Sequence, residues 1–390
     1  MNKTNKVESL LFELLRVAIG KQGCLSHTPT AGEWRELYLM AEKQALLGIC
    51  FHGVERLHEQ KQTPPQDLLF EWIGAAEYIK QKNALQNKRC AELQKMLKEA
   101  GIRSSILKGQ GIASRYGELV SLRQPGDIDI YVDCGLKGAL QFAKSVGCEG
   151  LEWDYKHLHL DVFQDTEVEM HYRVEVLMNL WKNSELQKWF KVHEDAVLAS
   201  GFMVDDYPVT TPTVEFNLFY ILLHIYRHFL YEGVGMRQLM DYYFVLKNLN
   251  TVPIPADAPT RSLSPRGEGS KQTEITRLLK QFGMYKFARG IMWVMRRVLG
   301  LEKECLICEP LESEGRFILS EVMEGGNFGH YDERLSSDRG GKLQTMKKVV
   351  KHNVHLIHHY PAEIIWPPIW FVWHKCWKTG MRLKVKSSMV

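Results

Sequence analysis

Hydrophobic positions along the chain recur in two rhythms. From about residue 6 to 100 they fall three and four apart, as on one face of a helix. The stretch "ESLLFELLRVAIG" sets Leu and Val at that spacing, and "EWRELYLMAEKQALLGICFHGVERL" carries it over a longer run. The segment "LFEWIGAAEYIKQKNALQNKRCAELQKMLKEAG" is longer still and meets a helix stop at Gly101. Between the last two, "TPPQ" at 63–66 marks a break.

At Gly101 the rhythm changes. "IRSSILKG" predicts a short strand running into a glycine turn, and "QGIASRYGELVSL" a helix with Ile112, Tyr116 and Leu119 on one face. In "RQPGDIDIYVD", residues 123–133, Ile128, Ile130 and Val132 alternate with Asp127, Asp129 and Tyr131. That period of two predicts a strand with one apolar face. "LKGALQFAKSVG" predicts a helix stopped at Gly147, and "HLHLDVF" with "EVEMHYRV" a hairpin around Gln164, Asp165 and Thr166. Together these make a small α/β or α+β unit over about 101–175. Beyond it the helical pattern returns in "TVEFNLFYILLHIYRHFLYEG", "MRQLMDYYFVLKNL" and "ITRLLKQFGMYKFARGIMWVMRRVLG". The Pro-, Ser- and Gly-rich segment 250–272 reads as a mobile loop or insertion. The expected organisation is a helical region 1–100, a core 101–175, a helical domain 176–345 and a Trp-rich basic tail 346–390.

That tail holds four tryptophans in twelve residues beside several lysines. Its uncharged run is too short to span a bilayer. The pattern fits a helix packed on the protein's own surface, with prolines at a kink. The competing expectation is peripheral contact with a membrane interface through residues 360–380.

Length and composition narrow the picture. With 390 residues, 45% hydrophobic and 25% charged, the chain has the profile of a globular protein of two or three domains. A net charge of +4 permits anionic ligands and does not describe a surface that coats nucleic acid. The eight cysteines are scattered, and only Cys305 and Cys308 have C-x-x-C spacing, so a zinc ribbon is unsupported and a reduced cytoplasmic chain is expected. The N-terminus reads as an amphipathic helix rather than a signal peptide.

Asp is depleted in strands, so Asp127 and Asp129 on one strand face need a reason. Two bare carboxylates repel each other and tolerate proximity when a cation joins them. Mg²⁺ suits one or two carboxylates, with water and substrate phosphates completing its shell. A third carboxylate is expected from the hairpin, where pattern leaves Asp161 and Glu169 both open. Glu167, Glu169 and His171 share one face there. The turn "ILKGQG" runs into a helix start, where backbone N–H groups can cradle a phosphate. Gly109 and Gly111 would allow close approach, and Lys108 and Arg123 offer positive charge. His224 and His228, four apart, share a helix face and suit a structural role or the mouth of a cleft, whereas Arg237 and Asp241 read as a helix ion pair.

A glycine turn, a helix and then "DIDIYV" resemble the nucleotidyltransferase superfamily that includes DNA polymerase β. More narrowly, "ILKGQGIASRYG", "RQPGDIDIYVD", "EVEMHYRV", "LLHIYRHFL" with "MRQLMDYYFVL", and "EGGNFGHYD" resemble an uncharacterised bacterial nucleotidyltransferase family of polysaccharide loci. The resemblance implies an α+β fold, with a small mixed-sheet polymerase β-like core between helical regions. It implies Asp127, Asp129 and Glu169 as catalytic metal carboxylates for Mg²⁺ or Mn²⁺, and a nucleotide grip from Lys108, Gly109, Gln110 and Arg123. The implied reaction moves a nucleoside monophosphate from a nucleoside triphosphate such as ATP to an unidentified small-molecule, protein or RNA acceptor, in the cytoplasm or peripheral to the inner membrane. The acceptor is expected against the helical region that includes His224 and Arg237. Gln110 stands where the superfamily usually has Ser, and the interval from the turn to Asp127 is longer than usual. Those departures point to the alternatives: a non-catalytic nucleotide-binding or regulatory protein on the same fold, or a peripheral membrane scaffold for surface-polysaccharide assembly.

Overall fold

A computed structural model of the chain describes residues 3–250, 267–327 and 354–387. The fold is α+β, mostly helical, with a four-stranded mixed sheet and a two-stranded hairpin among the described residues. Two compact units interleave along the sequence. One comprises Met1–Leu85, Ile112–Pro125 and Ile221–Asp338, and the other Gln86–Gly111, Gly126–Tyr220 and Arg339–Val390.

In the first unit, α1 (Lys3–Ala18) buries Leu10, Leu11, Leu14 and Leu15. Helix α2 (Ala31–Lys43) starts at Thr30, whose hydroxyl accepts the Glu33 N–H at 3.3 Å while the Glu33 carboxylate accepts the Thr30 N–H at 2.8 Å. This reciprocal cap satisfies two helix-end donors. The single long helix expected next is in fact two, α2 and α3 (Leu47–Arg56). The break has a tertiary cause. Gln44 is buried, donates to the Val322 carbonyl at 3.0 Å and accepts the Met236 N–H at 2.8 Å, and Ala45 turns into positive φ at 55°. Helix α4 (Gln66–Glu99) begins in this unit and ends in the other.

The second unit carries the sheet. Strand β1 (Ser104–Ile106) is followed by the four-residue helix α5 (Gln110–Ala113) and a 3₁₀ turn over Gly117–Leu122. The expected continuous helix over that stretch is interrupted where Gly117 adopts φ 61°. After β2 (Ile128–Val132) come α6 (Gly135–Ser145), β3 (His157–His159) and β4 (Val168–His171). The strand order is β1-β2-β4-β3. Strand β2 runs antiparallel to β1 and parallel to β4, and β3 runs antiparallel to β4. One face buries Ile106, Ile128, Ile130, Val132, Leu158, Val168 and Met170 against Leu140 and Phe142 of α6 and Leu93 and Leu97 of α4. Because side chains alternate along a strand, the opposite face receives Asp129, Glu169, His171, His157 and His159.

Helices α7 (Leu180–Val192) and α8 (Glu194–Val197) follow. A second hairpin, β5 (Ser200–Val204) and β6 (Tyr207–Thr211), turns at Asp205, which adopts φ 50°. It stands where the sequence pattern predicts only helix, because its strands alternate weakly and β6 contains Pro208. Then come α9 (Val214–Tyr231), α10 (Met236–Lys247), α11 (Gly267–Gln281), α12 (Tyr285–Arg297) and α13 (Glu312–Gly325). Of the expected loop 250–272, residues 251–266 lie outside the described residues and 267–272 open α11. The glycine-rich "EGGNFGHYD" lies outside them from residue 328 onward.

In the tail, the helix Trp366–Ser387 carries Pro367 and Pro368 in its first turn. Proline there begins a helix rather than kinking it. Trp370, Trp373 and Trp377 meet the Tyr155 ring edge-on at 5.4, 5.0 and 4.9 Å, so these indoles pack on their own unit. Ile369, Phe371 and Val372 remain exposed. Among the described residues, no helix is long and apolar enough to cross a membrane.

Candidate active site

The parallel pairing of β2 with β4 sets Asp129 directly beside Glu169, and Tyr131 beside His171. Strand β3 continues both rows, with His159 opposite Glu169 and His157 opposite His171. Three adjacent strands therefore place acids and imidazoles on one face. Asp127 precedes β2 by one residue.

Asp129 is 3% exposed, and its Oδ1 is the focus of the cluster. Lys108 Nζ lies 2.8 Å from that oxygen and His171 Nε2 lies 2.9 Å from it. His171 Nε2 also reaches Glu169 Oε2 at 3.2 Å, so one ring nitrogen sits between two carboxylates. Lys108 arrives because the chain leaves β1 beside β2, where the Leu107 N–H donates to the Asp129 carbonyl at 2.9 Å.

The charges answer one another. Burial opposes ionisation of Asp129, yet Lys108 and His171 hold its carboxyl well below the usual range. Burial likewise opposes the charge on Glu169, and its hydrogen bond with His171 brings it down to about 2. Burial would neutralise Lys108 and His171, but the neighbouring carboxylates raise both above their ordinary values. Asp127 goes the other way. Repulsion from Asp129, together with burial, pushes it up to about 6. Burial and the neighbouring His171 bring His157 down to about 4.

The sequence-predicted residues divide. Asp127, Asp129, Glu169 and Lys108 come together in the second unit, and Gly109 leads into them with φ 53°. Asp161 is exposed, away from the focus, and its charge acts on Cys148. Gln110 is buried, and its amide nitrogen donates to Asn87 at 2.6 Å, so the side chain is turned onto α4. Its amide oxygen is buried without a hydrogen-bond partner. Gly111 answers to packing: a Cβ there would lie 2.5 Å from the Ile106 carbonyl oxygen and 2.8 Å from Thr211 Oγ1.

Arg123 belongs to the first unit, where it is buried against Asp241. Its Nε and Nη2 donate to the two carboxylate oxygens at 2.7 and 2.8 Å, and its Nη1 donates to the Gln124 carbonyl. Tyr116 donates to the same carboxylate at 2.7 Å. The guanidinium expected on a phosphate is thus engaged in a forked ion pair. Asp241, expected with Arg237 on its own helix, receives Arg123 instead, while Arg237 donates to the Gln124 carbonyl at 3.1 Å. His224 and His228 lie buried with ring centroids 4.2 Å apart, and His228 pairs with Glu232.

His171 was visible in the sequence on the face of Glu169. Nothing local marked it as the group between two acids, since that depends on which strand lies beside β4.

Carboxylate oxygens of Asp129 and Glu169, set side by side, fit a hard divalent cation such as Mg²⁺ or Mn²⁺. The atoms of Asp129, Glu169 and His171 that could hold an ion lie within 4.8 Å of one another. In the arrangement described, Lys108 and His171 supply the countercharge that a cation would provide.

No curated protein and no solved structure matches the chain. A family model described as "Uncharacterised nucleotidyltransferase" matches residues 30–254, more than half of the chain, and spans Lys108, the aspartate strand and Glu169. With its glycine turn, its Asp-x-Asp strand and a third acid on the neighbouring strand, the chain belongs to this nucleotidyltransferase family.

Proposed function

We propose that the second unit is a polymerase β-like catalytic core that moves a nucleoside monophosphate from a nucleoside triphosphate to an acceptor hydroxyl or phosphate. The observation that carries this reading is the register of β2 and β4, which sets Asp129 beside Glu169 with Lys108 on the same carboxylate. Asp127, Asp129 and Glu169 would hold Mg²⁺ or Mn²⁺, which would supply charge stabilisation to the transferring phosphoryl group. Lys108 is placed to exchange its carboxylate partner for a phosphate oxygen, a point charge suited to that contact. Backbone groups at Gly109 and Gln110 would receive the anionic tail. Glu169, held down to about 2 beside His171, would stay ionised as a metal ligand. Asp127, pushed up to about 6 by Asp129 and burial while no cation is bound, would give up its proton as the ion arrives. Arg123 has no part in this reading, because its donors serve Asp241 and Gln124.

The test is incubation with each α-labelled triphosphate, Mg²⁺ or Mn²⁺ and a cell extract. Label transfer should occur with the wild type and fall at least a hundredfold in Asp129→Asn and Glu169→Gln. Equal transfer by all three proteins would remove the reading. The eight free thiols, several of them buried, support a reducing, cytoplasmic setting.

A second reading rests on the same contacts. Lys108 and His171 already neutralise the acids, and Gln110 is turned onto Asn87, as suits a protein that binds nucleotide without turnover. Nucleotide binding by calorimetry with no label transfer to any extract would favour it.

A further inference from the structure

The polar face of the sheet extends beyond the acids onto β3. His157 and His159 are two apart on that strand, so both side chains point the same way. His159 lies directly opposite Glu169 in the antiparallel pair. The two imidazoles stand edge to face with centroids 5.1 Å apart. His157 Nδ1 is buried without a hydrogen-bond partner and lies 3.6 Å from Glu169 Oε2. Ligand atoms from His157, His159 and Glu169 all lie within 4.8 Å of one another.

We propose that His157, His159 and Glu169 form a second cation site, selective for a borderline divalent transition metal of the Zn²⁺ class. Two imidazoles and one carboxylate are a donor set that Zn²⁺ accepts with an open fourth position. Mg²⁺ prefers an all-oxygen shell and would take the carboxylates of Asp127 and Asp129 instead. Glu169 is common to both groups, because its Oε2 faces His171 at 3.2 Å and His157 at 3.6 Å. It therefore bridges the two positions.

The site opens onto a cavity lined by His157, His159, Asp154 and Glu152, with Lys378 and Arg382 also on its wall. Those two cations oppose a bare metal ion and favour an anion at the open coordination position. His159 is exposed, at the solvent side of the group. None of this depends on nucleotidyl transfer, since the site stands on strand register and donor type.

The test is cobalt titration of the full chain after removal of metals by chelation. The wild type should show a visible ligand-field band that Zn²⁺ displaces and excess Mg²⁺ does not. His159→Gln, altered at an exposed position, should bind at least tenfold more weakly with an unchanged circular dichroism spectrum. His159→Cys should bring a new thiolate-to-cobalt charge-transfer band. Cys305→Ser/Cys308→Ser should retain the wild-type band, which separates this site from the thiols. Asp127→Asn should keep the cobalt band whatever its effect on label transfer, so the two readings fail separately. Absence of the band in the wild type, equal affinity in His159→Gln, or loss of the band in the double serine variant would each overturn the proposal.

Discussion

Replacing Lys108 by Met strips an ammonium from a buried set of acids and leaves most of its apolar stem. The Nζ lies 2.8 Å from Asp129 Oδ1. At an effective dielectric of about 20, that separation corresponds to roughly 6 kcal/mol of attraction. Desolvation of the ammonium offsets part of it, and removing one partner of a buried pair costs about 3–5 kcal/mol in practice. We expect a loss of about that size in unfolding free energy for Lys108→Met, measured by urea denaturation in EDTA. Divalent cations should then separate the two proteins. In the wild type an ion must displace Lys108 from Asp129, whereas in the variant that oxygen is already open. At a concentration a hundred times its Kd, a cation that binds only the folded state adds about 2.7 kcal/mol. Saturating Mg²⁺ should therefore restore much of the lost stability in Lys108→Met and shift the wild type less. Equal midpoints for both proteins in EDTA would refute the ion pair's contribution. A variant indifferent to Mg²⁺ would refute the cation site at these acids.

Asp127, raised to about 6 in the folded chain, holds a proton that the unfolded chain has released between pH 4 and 6, so its ionisation makes stability fall as pH rises through that window. The rise to about 6 corresponds to about 3 kcal/mol, and Asp127→Asn should remove that slope in pH-dependent melting without added cation. Asp241→Asn leaves the Arg123 guanidinium buried and uncompensated, so it should cost about 3–5 kcal/mol in denaturant titration. Gly111→Ala puts a Cβ against the Ile106 carbonyl oxygen and should cost about 1–3 kcal/mol of stability by the same titration, an outcome expected with no ligand present.

The sequence by itself determined what depends on neighbours along the chain. A period of two in "DIDIYVD" put Asp127 and Asp129 on one side of a strand, and "EVEMHYRV" did the same for Glu169 and His171. The glycine turn and the hairpin were legible for the same reason. Local pattern failed where distant residues decided the backbone. Helices α2 and α3 part at Gln44 because its amide serves Val322 and Met236, residues far away in sequence. The second hairpin leaves little trace in the pattern because β5 buries no residue fully and β6 contains Pro208. Tertiary structure alone decided which strand lies next to which. The parallel pairing of β2 with β4 brings residue 169 to residue 129 and leaves Asp161 outside, a choice no alternation encodes. It also sent Arg123 to Asp241, 118 positions away, although a cation at a strand entrance reads equally well as a phosphate ligand. Which face a side chain occupies follows from backbone geometry within a few residues, whereas its partner across that face follows from how the whole chain packs.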